Sequence, residues 1–119
     1  MPLPQTLRLS DSPAGPALVL QVEGELDAFT VPRFAERLAG ALTSGNGEVV
    51  VDLAGVSFID SAGLSALLNG FRRAGHRGGS LVLAAPSARV KRVLEVTGLA
   101  GTFGLYDTVD AALAQLPAG

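Results

Sequence analysis

The run Glu48-Val49-Val50-Val51-Asp52-Leu53 constrains the chain more than any other segment. Three consecutive valines leave no polar alternation, so an extended segment there must be covered on both sides, as in a central strand of a parallel sheet. Parallel neighbours need crossovers of a dozen or more residues, usually helical, and the flanking sequence supplies them. Downstream, Leu64, Leu67, Leu68 and Phe71 fall at i, i+3, i+4 and i+7, with Ser65, Asn69, Arg72 and Arg73 on the other side, until Gly75 to Gly79 break the helix. Upstream, Thr30 is an N-cap candidate with Pro32 in the first turn, and Phe34, Leu38, Ala41 and Leu42 form a stripe ending near Gly45.

The remaining segments repeat this alternation. Leu81 to Ala85 reads as a second buried strand, and Ser87 caps a helix carrying Val90, Val93, Leu94 and Thr97, with Gly98 as its stop. A short strand near Phe103 to Tyr106 precedes a final helix that Asp107 would cap, with Val109, Leu113 and Leu116 apolar. Near the start, Leu7 to Ser10 and Leu18 to Val22 read as two strands joined by a longish loop over Asp11 to Pro16. The expectation is a single α/β domain over residues 1–119: a small mixed sheet, mostly parallel with an antiparallel edge strand, packed with about four helices.

Composition narrows what such a domain can do. With no Cys and one His, His76, the chain has neither a Cys/His zinc site nor a thiol nucleophile, and no metal or cofactor is expected. A formal charge of −2 gives no general attraction to DNA or to anionic lipid. The opening MPLPQTLRLSD lacks a basic cluster followed by an apolar core, and no stretch approaches the ~20 apolar residues that span a bilayer. A cytoplasmic protein that binds neither DNA nor membrane is expected. Its charge is uneven, however: residues 1–60 carry 3 basic and 8 acidic side chains, residues 61–119 carry 6 and 3. Such polarity suits a protein partner.

The segment Val49 to Leu68 places Ser61 at the start of a helix that follows a central strand, where sites in open α/β sheets form. Two compatible readings stay open for its hydroxyl. It caps the helix, or it accepts a phosphate at a helix end whose amides and dipole favour an anion. Ala62 and Gly63 are small enough to let a large partner or another backbone come close. A hydrolase would need a base for Ser61, and His76 lies ~20 Å away at 1.5 Å per helical residue, so no catalytic pair forms. The glycines at 75–79 lack a Lys-Ser/Thr ending and read as a helix-terminating turn. Asp52 has no acidic partner for Mg²⁺ and reads as a hydrogen-bonding residue of the next turn. Arg89, Lys91 and Arg92 read as a solvated helix face.

Three segments in order, GELDAFT at Gly24 to Thr30, VVVDLAGVSFIDSAGL at Val49 to Leu64 and SARVKRVLEVTGL at Ser87 to Leu99, resemble the STAS domain of bacterial anti-sigma factor antagonists. The resemblance covers most of the chain and implies partner switching. In that family the serine after the Asp of D-S-x-G-L, here Ser61, is phosphorylated by an anti-sigma factor that is also a serine kinase. The unmodified antagonist binds that factor and frees sigma; the phosphorylated form releases it, and a PP2C-type phosphatase resets the cycle. Asp27 of the GELD segment is then expected on the partner surface, although an acidic residue there also suits a solvated loop or the charge at the next helix start. The implied contact set is Asp27, Ala28, Thr30, Ser57, Asp60, Ser61, Ala62, Gly63 and Ser65, on a monomer or weak dimer without enzymatic activity. Many members have a second serine where this chain has Ala62, which leaves Ser61 as the sole acceptor in the motif. Two alternatives are a STAS subunit of a larger lipid-transport or stress-signalling assembly, and a small-ligand or nucleotide-binding module.

Overall fold

A computed structural model describes residues 7–44 and 46–116. The elements run β1 (Leu7–Ala14), β2 (Ala17–Leu26), α1 (Val31–Leu42), β3 (Glu48–Ile59), α2 (Ser61–His76), β4 (Ser80–Ala84), α3 (Ala88–Val96), α4 (Leu99–Thr102), β5 (Gly104–Tyr106) and α5 (Val109–Ala114). The strands form one sheet in the order β1-β2-β3-β4-β5. β1 is antiparallel to β2, and the other pairs are parallel. The expected α/β class and mixed sheet are therefore present, with β3 at the centre and five helices among the described residues, α4 being a single turn that the pattern did not suggest. Gly45, named above as the end of the first helix, lies outside the described residues, as do residues 1–6; α1 itself stops at Leu42.

The valine run behaves as its composition requires. Val49, Val51 and Leu53 enter the larger core with Phe34, Leu67 and Leu83, whereas Val50 faces the other side and packs with Val19, Val82 and Ala112. The helices α1 to α4 cover the first side, and α5 covers part of the second. Phe71 and Phe103 meet edge to face within the first core, their ring centroids 5.4 Å apart, a favoured aromatic geometry.

Three features differ from expectation, each for a local reason. The longish hairpin loop is instead a tight turn: Ala14 pairs with Ala17, leaving Gly15 and Pro16 to reverse the chain, with Gly15 at φ 63°. Pro13 stays within β1 because an edge strand has one unpaired side, where a missing N–H costs nothing. The loop expected over Ala54 to Asp60 is mostly strand, since β3 continues to Ile59. Its register against β2 slips between Gln21 and Glu23 and again between Gly24 and Glu25, so β3 carries two bulges that break the period-2 pattern. Asp52 steadies the first of them by accepting the Ala54 N–H at 3.0 Å. Finally, Thr108 rather than Asp107 caps α5, accepting the Ala111 N–H at 3.0 Å, while Asp107 lies 3.8 Å from Lys91.

Candidate functional site

The bulged end of β3 delivers Ser57, Phe58 and Asp60 to the rim where β2 also ends. Glu25 pairs with Phe58 and Leu26 with Ile59. The Asp60 N–H then donates to the Leu26 carbonyl at 3.1 Å, tying the start of α2 to the β2–α1 loop. Gly63 completes that junction: a Cβ there would sit 2.7 Å from the Leu26 carbonyl oxygen and 2.9 Å from its Cβ. The close backbone approach expected at Gly63 is thus made by this chain's own β2, and the residue is buried.

Ser61 is not the N-cap. Asp60 has extended backbone, φ −113° and ψ −170°, and its Oδ1 accepts the N–H groups of Ala62 at 2.9 Å and Gly63 at 3.1 Å. Asp and Ser are comparable caps, so the choice falls to whichever of the two adjacent residues holds extended backbone. Ser61 becomes the first helical residue, exposed, and its hydroxyl makes no hydrogen bond among the described residues. A hydroxyl released from capping, at the positive end of a sixteen-residue helix, is chemically available to accept a group from a partner.

The β2–α1 loop is held just as firmly. Asp27 Oδ1 accepts the N–H groups of Phe29 at 2.9 Å and Thr30 at 3.0 Å. The Thr30 hydroxyl does not cap α1; it donates to the Glu25 carbonyl at 2.7 Å and accepts the Asp27 N–H at 3.0 Å. Thr30 is therefore buried and turned inward, so its part in the expected contact set is to shape the loop. Asp27 instead holds the turn that leads into α1, bonding residues before the helix rather than its first turn, which has no side-chain cap, and it remains half-buried. Ala28, Ser57 and Ser65 are exposed, Ala62 and Asp60 half-buried. Ser57, within the second bulge, reaches the Gly24 carbonyl at 3.3 Å.

Two residues of this rim lie within the segments 27–30 and 57–61 expected to meet a partner but are not named in the contact set. Phe29 is 92% exposed at the loop tip and Phe58 is 40% exposed beside the bulge. An aromatic ring is ordinarily assigned to the core, and only the loop geometry at Phe29 and the bulge beside Phe58 turn these outward. A shallow groove of about 350 Å³ between α1 and α2 also borders the site through Ala62 and Ser65.

His76 occupies the far end of the unbroken α2, so it has no access to Ser61. Among the described residues no cluster of His, Cys, Asp or Glu could hold a metal ion, and no helix is long and apolar enough to cross a membrane. The glycine-rich turn ends α2 as expected: Gly78 has φ 79°, and the Gly79 N–H donates to the Ala74 carbonyl at 2.8 Å.

Comparison with known proteins agrees with this arrangement. Residues 10–112 match the STAS domain family. An anti-sigma-B factor antagonist of Staphylococcus epidermidis is 35% identical over 80 residues, 67% of this chain and 74% of that protein. A Mycobacterium tuberculosis protein, named as a candidate anti-anti-sigma factor, is 31% identical over 116 residues, covering 96% of this chain and 78% of its own length. The crystal structure of an anti-sigma factor antagonist from Mycobacterium paratuberculosis superposes with a TM-score of 0.86 at 28% identity, covering 98% of each chain. With the three sequence segments meeting on one sheet of this topology, the chain belongs to the STAS domain family.

Proposed function

We propose that this chain is an anti-sigma factor antagonist, a regulatory binding protein rather than an enzyme, and that phosphorylation of Ser61 switches its binding. The observation that carries the reading is the exposed Ser61 hydroxyl, unbonded because Asp60 does the capping. Relatives named as antagonists support the partner class. In the switch, Ser61 Oγ attacks the γ-phosphorus of ATP held by an anti-sigma factor that is also a serine kinase. The new O–P bond forms as the β–γ bridging P–O bond breaks; ADP leaves, and the hydroxyl proton passes to a base on the kinase. A PP2C-type phosphatase hydrolyses the ester and restores the hydroxyl.

Charge explains why modification dissolves the complex. A phosphoserine adds about −1.5 to −2 charge units directly beside Asp60, on a rim that already carries Glu25 and Asp27. Helix amides tolerate that anion in the free protein. In a complex formed around a neutral hydroxyl, the dianion must be desolvated against groups not arranged to receive it, at a cost of several kcal/mol. About 3 kcal/mol corresponds to a more than hundredfold loss of affinity. No change of fold is needed.

The test is to incubate the protein with the serine-kinase anti-sigma factors of the same genome and ATP, then locate phosphate by peptide mass analysis. Phosphate on Ser61, absent from Ser61→Ala, is expected; phosphorylation of Ser61→Ala at another position would defeat the assignment.

A further inference from the structure

A single exposed apolar side chain is ordinary on a protein surface, but Phe29 differs from Val96, the other strongly exposed one among the described residues, in how it is presented. Val96 ends a helix elsewhere in the molecule. Phe29 stands 92% exposed on a loop whose backbone is fixed on both sides of it by Asp27 and Thr30. Its own N–H is one of the bonded groups, so the segment that carries the ring is already ordered before any partner arrives. Aromatic residues presented in this way bind at low entropic cost and dominate interface energetics. Through Leu26, whose carbonyl accepts the Asp60 N–H at 3.1 Å, the loop is mechanically one piece with the seat of Ser61.

We infer that Phe29 is the specificity anchor of this chain: its ring enters an apolar pocket, rimmed by basic groups, on the serine-kinase anti-sigma factor that modifies Ser61. The inference rests on the reading given under Proposed function. Charge complementarity fixes the rim, because Glu25 and Asp27 sit in or next to the loop that carries Phe29 and Asp60 is tied to it through Leu26, all three acidic. It also reassigns roles within the loop: Asp27, whose Oδ1 is occupied by two backbone N–H groups, holds the loop in shape, and Phe29 makes the contact.

The experiment compares wild type, Phe29→Ala, Phe29→Leu and Val96→Ala for binding to the purified serine-kinase anti-sigma factors of the same genome, and for the rate of Ser61 phosphorylation by them. For Phe29→Ala, Kd and KM should rise roughly 30-fold, the scale of a hot-spot truncation, with kcat and melting temperature unchanged. Phe29→Leu should fall between, and Val96→Ala should match wild type. A Phe29→Ala protein whose Kd stays within threefold of wild type, or one impaired only in kcat, overturns the assignment of Phe29. If wild type itself is neither bound nor phosphorylated by any of these factors, the antagonist reading falls, and the anchor with it.

Discussion

At the scale of single residues the site depends on a division of labour between neighbours. Asp60 caps α2 through two backbone N–H groups and thereby leaves the Ser61 hydroxyl free. Replacing an N-cap by Ala costs about 0.5–2 kcal/mol, so Asp60→Ala should lower unfolding free energy by about 1 kcal/mol in urea titration, with Asp60→Asn close to wild type. Thr30 bonds inward at both its donor and its acceptor positions. Thr30→Val should therefore cost about 1–3 kcal/mol and loosen the loop, seen as faster amide hydrogen exchange at Asp27. Adjacent good capping residues such as Asp60 and Ser61 are not separable by type. Backbone dihedral angles decide between them, and the sequence does not display these.

At the scale of elements, the junction of β2 with α2 is closely packed against the site. The Leu26 backbone lies where a Gly63 Cβ would go, and overpacking of that kind costs about 1–3 kcal/mol. Gly63→Ala should lose that much stability and shift the amide resonances of Leu26, Asp60 and Ser61, whereas Gly75→Ala, which meets open space, should leave them in place. The strands and helices with regular burial were legible from residue spacing: β3 through its valines, α2 through Leu64, Leu67 and Phe71. The irregular parts were not. Two bulges interrupt the alternation of β3, so the exposed Ala54, Gly55, Ser57 and Phe58 read as loop although they extend the strand to the site. The same irregularity hid the exposure of Phe58, and the loop geometry hid that of Phe29.

At the scale of the whole molecule, the antiparallel β1 closes one edge of the sheet while β2 and β3 run side by side to one rim, bringing the loop at 27–30 and the start of α2 together. Nothing in this arrangement has to move for the proposed switch to operate, because the modified hydroxyl is already exposed and the neighbouring loop is already ordered. Phosphorylated and unmodified proteins should accordingly give superposable far-ultraviolet circular dichroism and amide spectra that differ only near the rim. The measurement that bears most directly on this account is calorimetric titration of the anti-sigma kinase with the Ser61-phosphorylated and the unmodified protein. A Kd raised more than a hundredfold by the phosphate, with both forms equally folded, is the expected result; equal affinity of the two forms would contradict it.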